Sequence, residues 1–255
     1  VSSIKYLKKT ILTIGTRQFD SDNIDIDYLV EFEDSEEPNV AEISLWNPSN
    51  DTISQIKREM PVILNSGYVG DIGVLISGKI ADFEVISYDV DRELKMYVGD
   101  GLEVWNTPIK KSYINLNADK VAQDLSKLSG VSFKIDLEKN ITYPQIVFDE
   151  PLISCLRKIA SDTESKFFIR NGQGFLVKKT YAEQSIFVLN AESGLIGRPE
   201  RVNIDDIDGY RIQCLLEYRI NVGSYVRIES RYVNGDFRVV KGKHADVTEM
   251  EVVPL

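Results

Sequence analysis

The chain is poor in the residues that carry chemistry. Its 255 residues include one histidine, His244, and two cysteines, Cys155 and Cys214. A Ser-His-Asp or Cys-His centre would have to pass through His244, which sits on an alternating stretch and reads as structural. Cysteine and histidine are too few for a structural zinc site. The cysteines lie among apolar neighbours, in ISCLRKIA and RIQCLLEY, and read as buried free thiols and not as a disulfide scaffold. No stretch approaches 18 apolar residues, so no membrane-spanning helix is predicted. The N-terminal VSSIKYLKKTILTIG lacks the apolar core of a signal peptide, so folding in a cytoplasm is expected. Clustered basic charge is missing too: 30 Lys and Arg stand against 40 Asp and Glu, a net charge of −10. That excludes a nucleic-acid grip built on counterion release.

The motifs that could carry chemistry fail on spacing. GYVGDIG lacks the Lys-Ser/Thr of a phosphate loop and opens no helix. NIDDIDG, at 203–209, has Ile207 at the fifth position of a calcium loop and Cys214 at the twelfth, where a carboxylate is needed. DSDNIDID, at 20–27, fails in the same way at Ile24. Asp162 and Glu164 are imaginable as a glycosidase pair, but they stand near a predicted helix end, where capping and solvation explain them. No catalytic, cofactor or metal residue is predicted.

What the chain does have is β pattern. Residues 1–105 read as short alternating strands, among them IDYLVEFE and AEISLW, with a short helix in WNPSNDTISQIKREM. Ser49, Asn50 or Asp51 is the expected cap of that helix, and Pro61 its end. Residues 106–182 read as a compact α+β domain. NADKVAQDLSKLSG is an amphipathic helix with Asn117 as cap, Val121, Leu125 and Leu128 as stripe and Gly130 as stop. DEPLISCLRKIASDTES is a second helix, and KFFIRNGQGFLVKK a hairpin on Asn-Gly. From 183 to 255 the β pattern returns. The predicted class is α+β and mostly β.

One phrase occurs twice. Residues 62–82 laid without a gap over 226–246, 164 positions on, match Val62 with Val226, Ser66 with Ser230, Tyr68 with Tyr232, Val69 with Val233, Gly78 with Gly242, Lys79 with Lys243 and Asp82 with Asp246. The alignment sets His244 over Ile80. Each copy reads as a strand, a turn and a returning strand, with turns at Gly70-Asp71 and Asn234-Gly235. Rhythm alone does not demand identities at Ser, Tyr, Lys and Asp. The pair therefore reads as an internal duplication, giving two related small β-barrel domains around the α+β domain. Two copies are too few and too long for a solenoid. Tyr68 and Tyr232, beside their turns, are candidates for a barrel seam or subunit interface, where tyrosine is enriched.

Three stretches carry a family resemblance: SLWNPSNDTISQIKREMPVILNSGYVGDIGVLISGKI at 44–80, the unit at 112–179, and LLEYRINVGSYVRIESRYVNGDFRVVKGKHADVTEMEVV at 215–253. Over about three fifths of its length the chain resembles the central hub protein of long-tailed phage baseplates and tail tips, a fold also found in phage-tail-like bacteriocins and the type VI secretion spike. The resemblance implies two tail-tube-like barrels per chain and a homotrimer with a ring of six barrels. It implies a tail tube protein on one side, a spike, tip or fibre protein on the other, contact with a tape measure protein, and DNA passing without specific binding. It also implies residence in a virion or tail-like particle and no enzymatic activity. A lysozyme-like or peptidase domain, which some hub proteins carry, is not expected within these residues. The alternatives are a tail-associated cell-wall glycan hydrolase and a monomeric carbohydrate-binding β-protein.

Overall fold

The computed structural model describes residues 6–34, 39–99 and 102–255. The chain divides into two compact units, one of Val1–Glu33, Asn39–Gly99 and Ala182–Leu255, the other of Asp34–Pro38 and Asp100–Tyr181. It is α+β and mostly β, with eighteen strands and four helices among the described residues.

The first half of the first unit contains β1 (Lys8–Ile14), β2 (Arg17–Asp20), β3 (Ile26–Glu33), β4 (Val40–Trp46), the helix α1 (Asn50–Gln55), β5 (Pro61–Tyr68), β6 (Asp71–Ser87) and β7 (Arg92–Gly99). Alternation decides which side faces in. Strand β3 buries Tyr28, Val30 and Phe32 and exposes Asp27, Glu31 and Glu33. The Ser49 hydroxyl caps α1 by accepting the Thr52 N–H at 3.1 Å. The helix stops at Gln55, well before Pro61, which instead opens β5.

The second unit contains α2 (Leu102–Trp105), β8 (Pro108–Asn117), α3 (Ala118–Ser129), β9 (Phe133–Asp136), β10 (Thr142–Pro151), α4 (Leu152–Asp162), β11 (Lys166–Arg170) and β12 (Gln173–Val177). The β8–β10 ribbon and the sheet β11-β12-β9 share one core with the inner faces of α3 and α4. On α3 that face is Ala118, Val121, Ala122 and Leu125, whereas Leu128 is exposed. Asn117 holds the cap position, but its side chain accepts from the Thr142 hydroxyl at 2.7 Å and not from the helix. Gly130 ends α3 in the left-handed conformation. Pro151 stands at the cap of α4, with Asp149 and Glu150 still in β10.

The chain then returns to the first unit as β13 (Ile186–Leu189), β14 (Leu195–Ile204), β15 (Ile207–Leu215), β16 (Tyr225–Glu229), β17 (Asn234–His244) and β18 (Val247–Pro254). The duplication shows in strand order. The first half runs β3-β4-β7-β6-β5 and the second β14-β15-β18-β17-β16, each built from the same antiparallel neighbours. Beyond these cores the halves differ: β1 joins β5 antiparallel, while β13 joins β16 parallel. Pairing of β17 with β3 makes the two halves one sheet of 13 strands.

The ungapped alignment holds on the outgoing strand only. Pro61 lies opposite Lys79, and Tyr225, 164 positions after Pro61, lies opposite Arg238. Arg238 is 159 positions after Lys79, so the return strands are offset by five. The turns explain it. The first hairpin reverses tightly after Tyr68, with Gly70 at φ +89° and Asp71 opening β6. The second reverses over Ser230–Val233, held by the Ser230 hydroxyl, which accepts from the Val233 N–H at 3.0 Å. Asn234 and Gly235 are the first residues of β17.

Candidate functional site

The junction of the two halves is the most heavily built feature of the first unit. After β15 the chain crosses a loop, 216–224, that is almost wholly buried. Leu216, 1% exposed, enters the core of the first half beside Leu64, Leu75 and Ile76. Two residues on, the Tyr218 ring lies on the backbone of Gly73 so closely that a Cβ there would stand 2.1 Å from it. The Tyr218 hydroxyl donates to Asp71 at 3.1 Å, and Arg219 pairs with Asp71 at 2.7 Å and with Glu217 at 2.6 Å. Asp71 therefore anchors the loop to the start of β6.

His244 closes the junction from the other side. It lies opposite Val30 where β17 meets β3, and its ring sits 4.8 Å from that of Phe32. A hydrogen-bond chain passes through it. The Glu217 N–H donates to the Thr248 hydroxyl at 3.0 Å, His244 Nδ1 stands 2.9 Å from that hydroxyl, and Nε2 stands 2.9 Å from the Ile220 carbonyl. A carbonyl can only accept, so Nε2 carries the proton and Nδ1 accepts from Thr248. Burial pushes the imidazole pKa down to about 4, with the Ile220 carbonyl opposing that shift. The ring is therefore a neutral brace at pH 7. Lys8 of β1 adds an exposed tie, donating to Asp246 at 2.7 Å and to the Ala245 carbonyl at 3.2 Å.

The residues singled out in the sequence scatter around this junction. Tyr68 is half-buried against the first core, where desolvation raises its pKa. Tyr232 is exposed in the turn before β17, with the Arg198 guanidinium 4.8 Å from its ring centre. The two tyrosines occupy different places in their hairpins. The chemical candidates have ordinary partners. Asp20 and Asp22 share Lys9, which holds Asp20 below the usual carboxylate range. Glu164 pairs with Lys139 at 2.5 Å, and Asp162 accepts from Tyr143 at 3.1 Å. Cys155 and Cys214 are both buried, and burial pushes the Cys155 thiol up to about 12. Among the described residues no three His, Cys, Asp or Glu side chains converge as a metal site, and no helix is long and apolar enough to cross a membrane. Sequence reading passed over Leu216, Tyr218, Arg219 and Ile220. The available signal was Leu216, Ile220 and Val222, three aliphatic side chains within seven residues of a segment that otherwise reads as a turn.

The fold of this chain is shared with solved phage tail proteins and a type VI secretion component. It is similar to a 43 kDa tail protein of prophage MuSo2 from Shewanella oneidensis, with a TM-score of 0.71 at 8% identity, covering 96% of this chain and 98% of that one. A tail protein from Neisseria meningitidis MC58 gives 0.70 at 9% identity, with 98% and 97% covered. The E. coli c3393 protein, a type VI secretion component structurally similar to the T4 tail proteins gp27 and gp5, gives 0.65 at 8% identity over 96% of this chain and 76% of that one. No protein-family model matches the chain, and no curated protein matches it by sequence.

Proposed function

We propose that the chain is a structural hub of a phage tail or phage-tail-like particle, acting as a homotrimeric adaptor between a six-fold tail tube and a spike or tip. It works by shape and symmetry, leaves an axial passage, and is not an enzyme. The observation that carries this reading is the five-strand order repeated in two halves and fused edge to edge by β17 and β3. Two such halves per chain supply six in a trimer, which suits a six-fold partner on one side and a three-fold one on the other. Residues 1–105, 106–182 and 183–255 are its domains. The partners are the tube protein, the spike or fibre protein and the tape measure protein, and the particle or virion is its place. Tyr68 and Tyr232 are seam contacts in this reading. Gly70 and Asp71 shape the hairpin that carries Tyr68, and Asn234 and Gly235 open the strand that follows Tyr232.

The test is the mass in solution by light scattering over a wide concentration range. A species near three times 28.9 kDa is expected. A strict monomer that binds glycan, or turns it over, would replace the hub reading with one of its rivals.

A further inference from the structure

The two halves diverge in one row of side chains. In the first half the row across β6, β7, β4 and β3 is Ile80, Val98, Ala41 and Val30, each 3% exposed or less. The matching row across β17, β18, β15 and β14 is Val239, Val252, Tyr210 and Arg201. Val239 and Val252 are fully buried, so this face of the sheet is the inward one. A tyrosine and an arginine thus stand where the first half has two aliphatic side chains. Arg201 is exposed in spite of its row. A cavity of about 620 Å³ opens there, lined also by Arg198, Tyr210 and Tyr232. A second, of about 450 Å³, shares Arg201 and Tyr210 with the first and continues over Asn203 and Asp208, which lie opposite each other.

Local irregularities bring further groups to the same place. Between Ile196 and Glu200 the pairing of β14 with β15 slips, so that Gly197, Arg198 and Pro199 stand against Ile212 alone. Gly197 takes φ +68°, and Pro199 has no N–H to give the ladder. Such a bulge re-aims a side chain, and here the Arg198 guanidinium comes to lie 4.8 Å from the ring centre of Tyr232. Tyr232 is itself held in its turn. The Ser230 hydroxyl accepts its N–H at 3.2 Å, and Asn234 Nδ2 donates to the Ser230 carbonyl at 2.8 Å. Arg211, Arg219 and Arg227 of the same half each pair with a carboxylate. Among the described residues no carboxylate pairs with Arg198 or Arg201. In a chain of net charge −10 these two guanidinium groups share one cleft without a counter-charge.

We propose that this cleft binds a glycan containing a uronic acid, with the sugar carboxylate held by Arg198 and Arg201. A planar guanidinium takes a carboxylate through two parallel N–H···O bonds, and stacking on Tyr232 fixes the plane of one such fork in advance. The Tyr210 and Tyr232 rings offer flat apolar surface to the C–H faces of a sugar, with a hydroxyl at the rim. The second cavity suits a neutral, hydroxylated body. Asn203 and Asp208 present an amide and a carboxylate, which exchange hydrogen bonds with hydroxyl groups. Asp205 and Asp206 stand in the adjoining turn between β14 and β15. These carboxylates would repel a run of acidic residues, so the charge that the cleft takes is sparse and lies at the arginine end. Both cavities have the size of small-ligand sites, about 300–1,000 Å³. The site is independent of the hub reading.

The test is calorimetric titration of the full chain with a tetrasaccharide that alternates glucuronic acid and N-acetylglucosamine. Binding is expected, and the same tetrasaccharide with its carboxyl groups reduced to alcohols should bind about tenfold more weakly. Arg198→Gln and Arg201→Gln should each weaken the acidic sugar about tenfold, with the denaturant midpoint of the wild type. Arg201→Lys keeps the charge but loses the fork, and should weaken it too. Arg58→Gln, whose arginine pairs with Asp82 in the other half, should change nothing. A wild-type chain that does not bind the acidic sugar, or binds its reduced form as tightly, would overturn the site. So would arginine variants that bind as the wild type does. A tetraglutamate peptide that binds as tightly, or inorganic phosphate that displaces the sugar at equal concentration, would mean a general anion patch and overturn the glycan. Light scattering on the same samples keeps the two readings apart. A trimer that fails to bind loses the site and keeps the hub, and a monomer that binds keeps the site and loses the hub.

Discussion

His244 is a titratable group placed where it can only be neutral, which makes it a pH sensor of the junction's integrity. Its folded pKa, about 4, lies below the unfolded value of about 6.5. Above pH 6.5 both states are neutral and the brace contributes fully. As pH falls from 6.5 towards 4 the unfolded chain takes the proton first, so stability is lost over that window. By pH 5 the loss should be about 2 kcal/mol. His244→Gln should be less stable at pH 8 by about 1–3 kcal/mol, from imperfect replacement of two buried hydrogen bonds. It should also lack the wild-type decline between pH 7 and 5. Denaturant unfolding at a series of pH values checks both, and a variant that keeps the full decline would assign it to other groups. The residue's structural character was legible in the sequence, from its place on an alternating strand. Its counterpart was not. Ile80 matches it in the alignment, whereas the five-residue offset of the return strands makes Val85 its match in the sheet, because the two turns differ in length and letters do not record where a chain reverses.

At the scale of elements, the closest approach in the junction is Tyr218 on Gly73. Any side chain at 73 must displace the ring, which also carries the hydrogen bond to Asp71. Gly73→Ala should cost about 1–3 kcal/mol by overpacking. In a double-mutant cycle with Tyr218→Ala the two effects should fall well short of adding, because the second change removes what the first collides with. Additive values would mean that the ring is not the obstacle. Hairpins and helices were mostly legible. The Asn171-Gly172 turn has both residues at positive φ, as a two-residue hairpin of this kind requires. Asn234-Gly235 carries the same signature but was overruled by Ser230, whose side chain makes the turn four residues earlier. The short helix α1 ended sooner than Pro61 suggested, because Ile56 is already extended and its side chain turns into the core.

At the scale of the whole molecule, the first unit is held together by side chains that belong to one half in sequence and to the other in space. Leu216→Ala removes a second-half residue from the first core and should destabilise by about 2–5 kcal/mol. The loss should be read by Trp46, in β4, whose emission can be followed in a Trp105→Phe background because these are the protein's two tryptophans. A transition at Trp46 that does not move would mean that the halves unfold separately. The mostly β class and the α+β middle were legible from local periodicity. The fusion of the halves was not, because an alternating strand declares which of its faces is buried and says nothing about which distant strand lies at its edge. The β3–β17 pairing also orders events while the chain is being made. Each strand of the middle unit pairs within residues 108–177, so that unit can close as soon as it leaves the ribosome. Strand β3 is made before the middle unit, yet its outer edge waits for residues 241–244, which are made after that unit. One edge of a strand made before the middle unit is therefore completed only after that unit has been made.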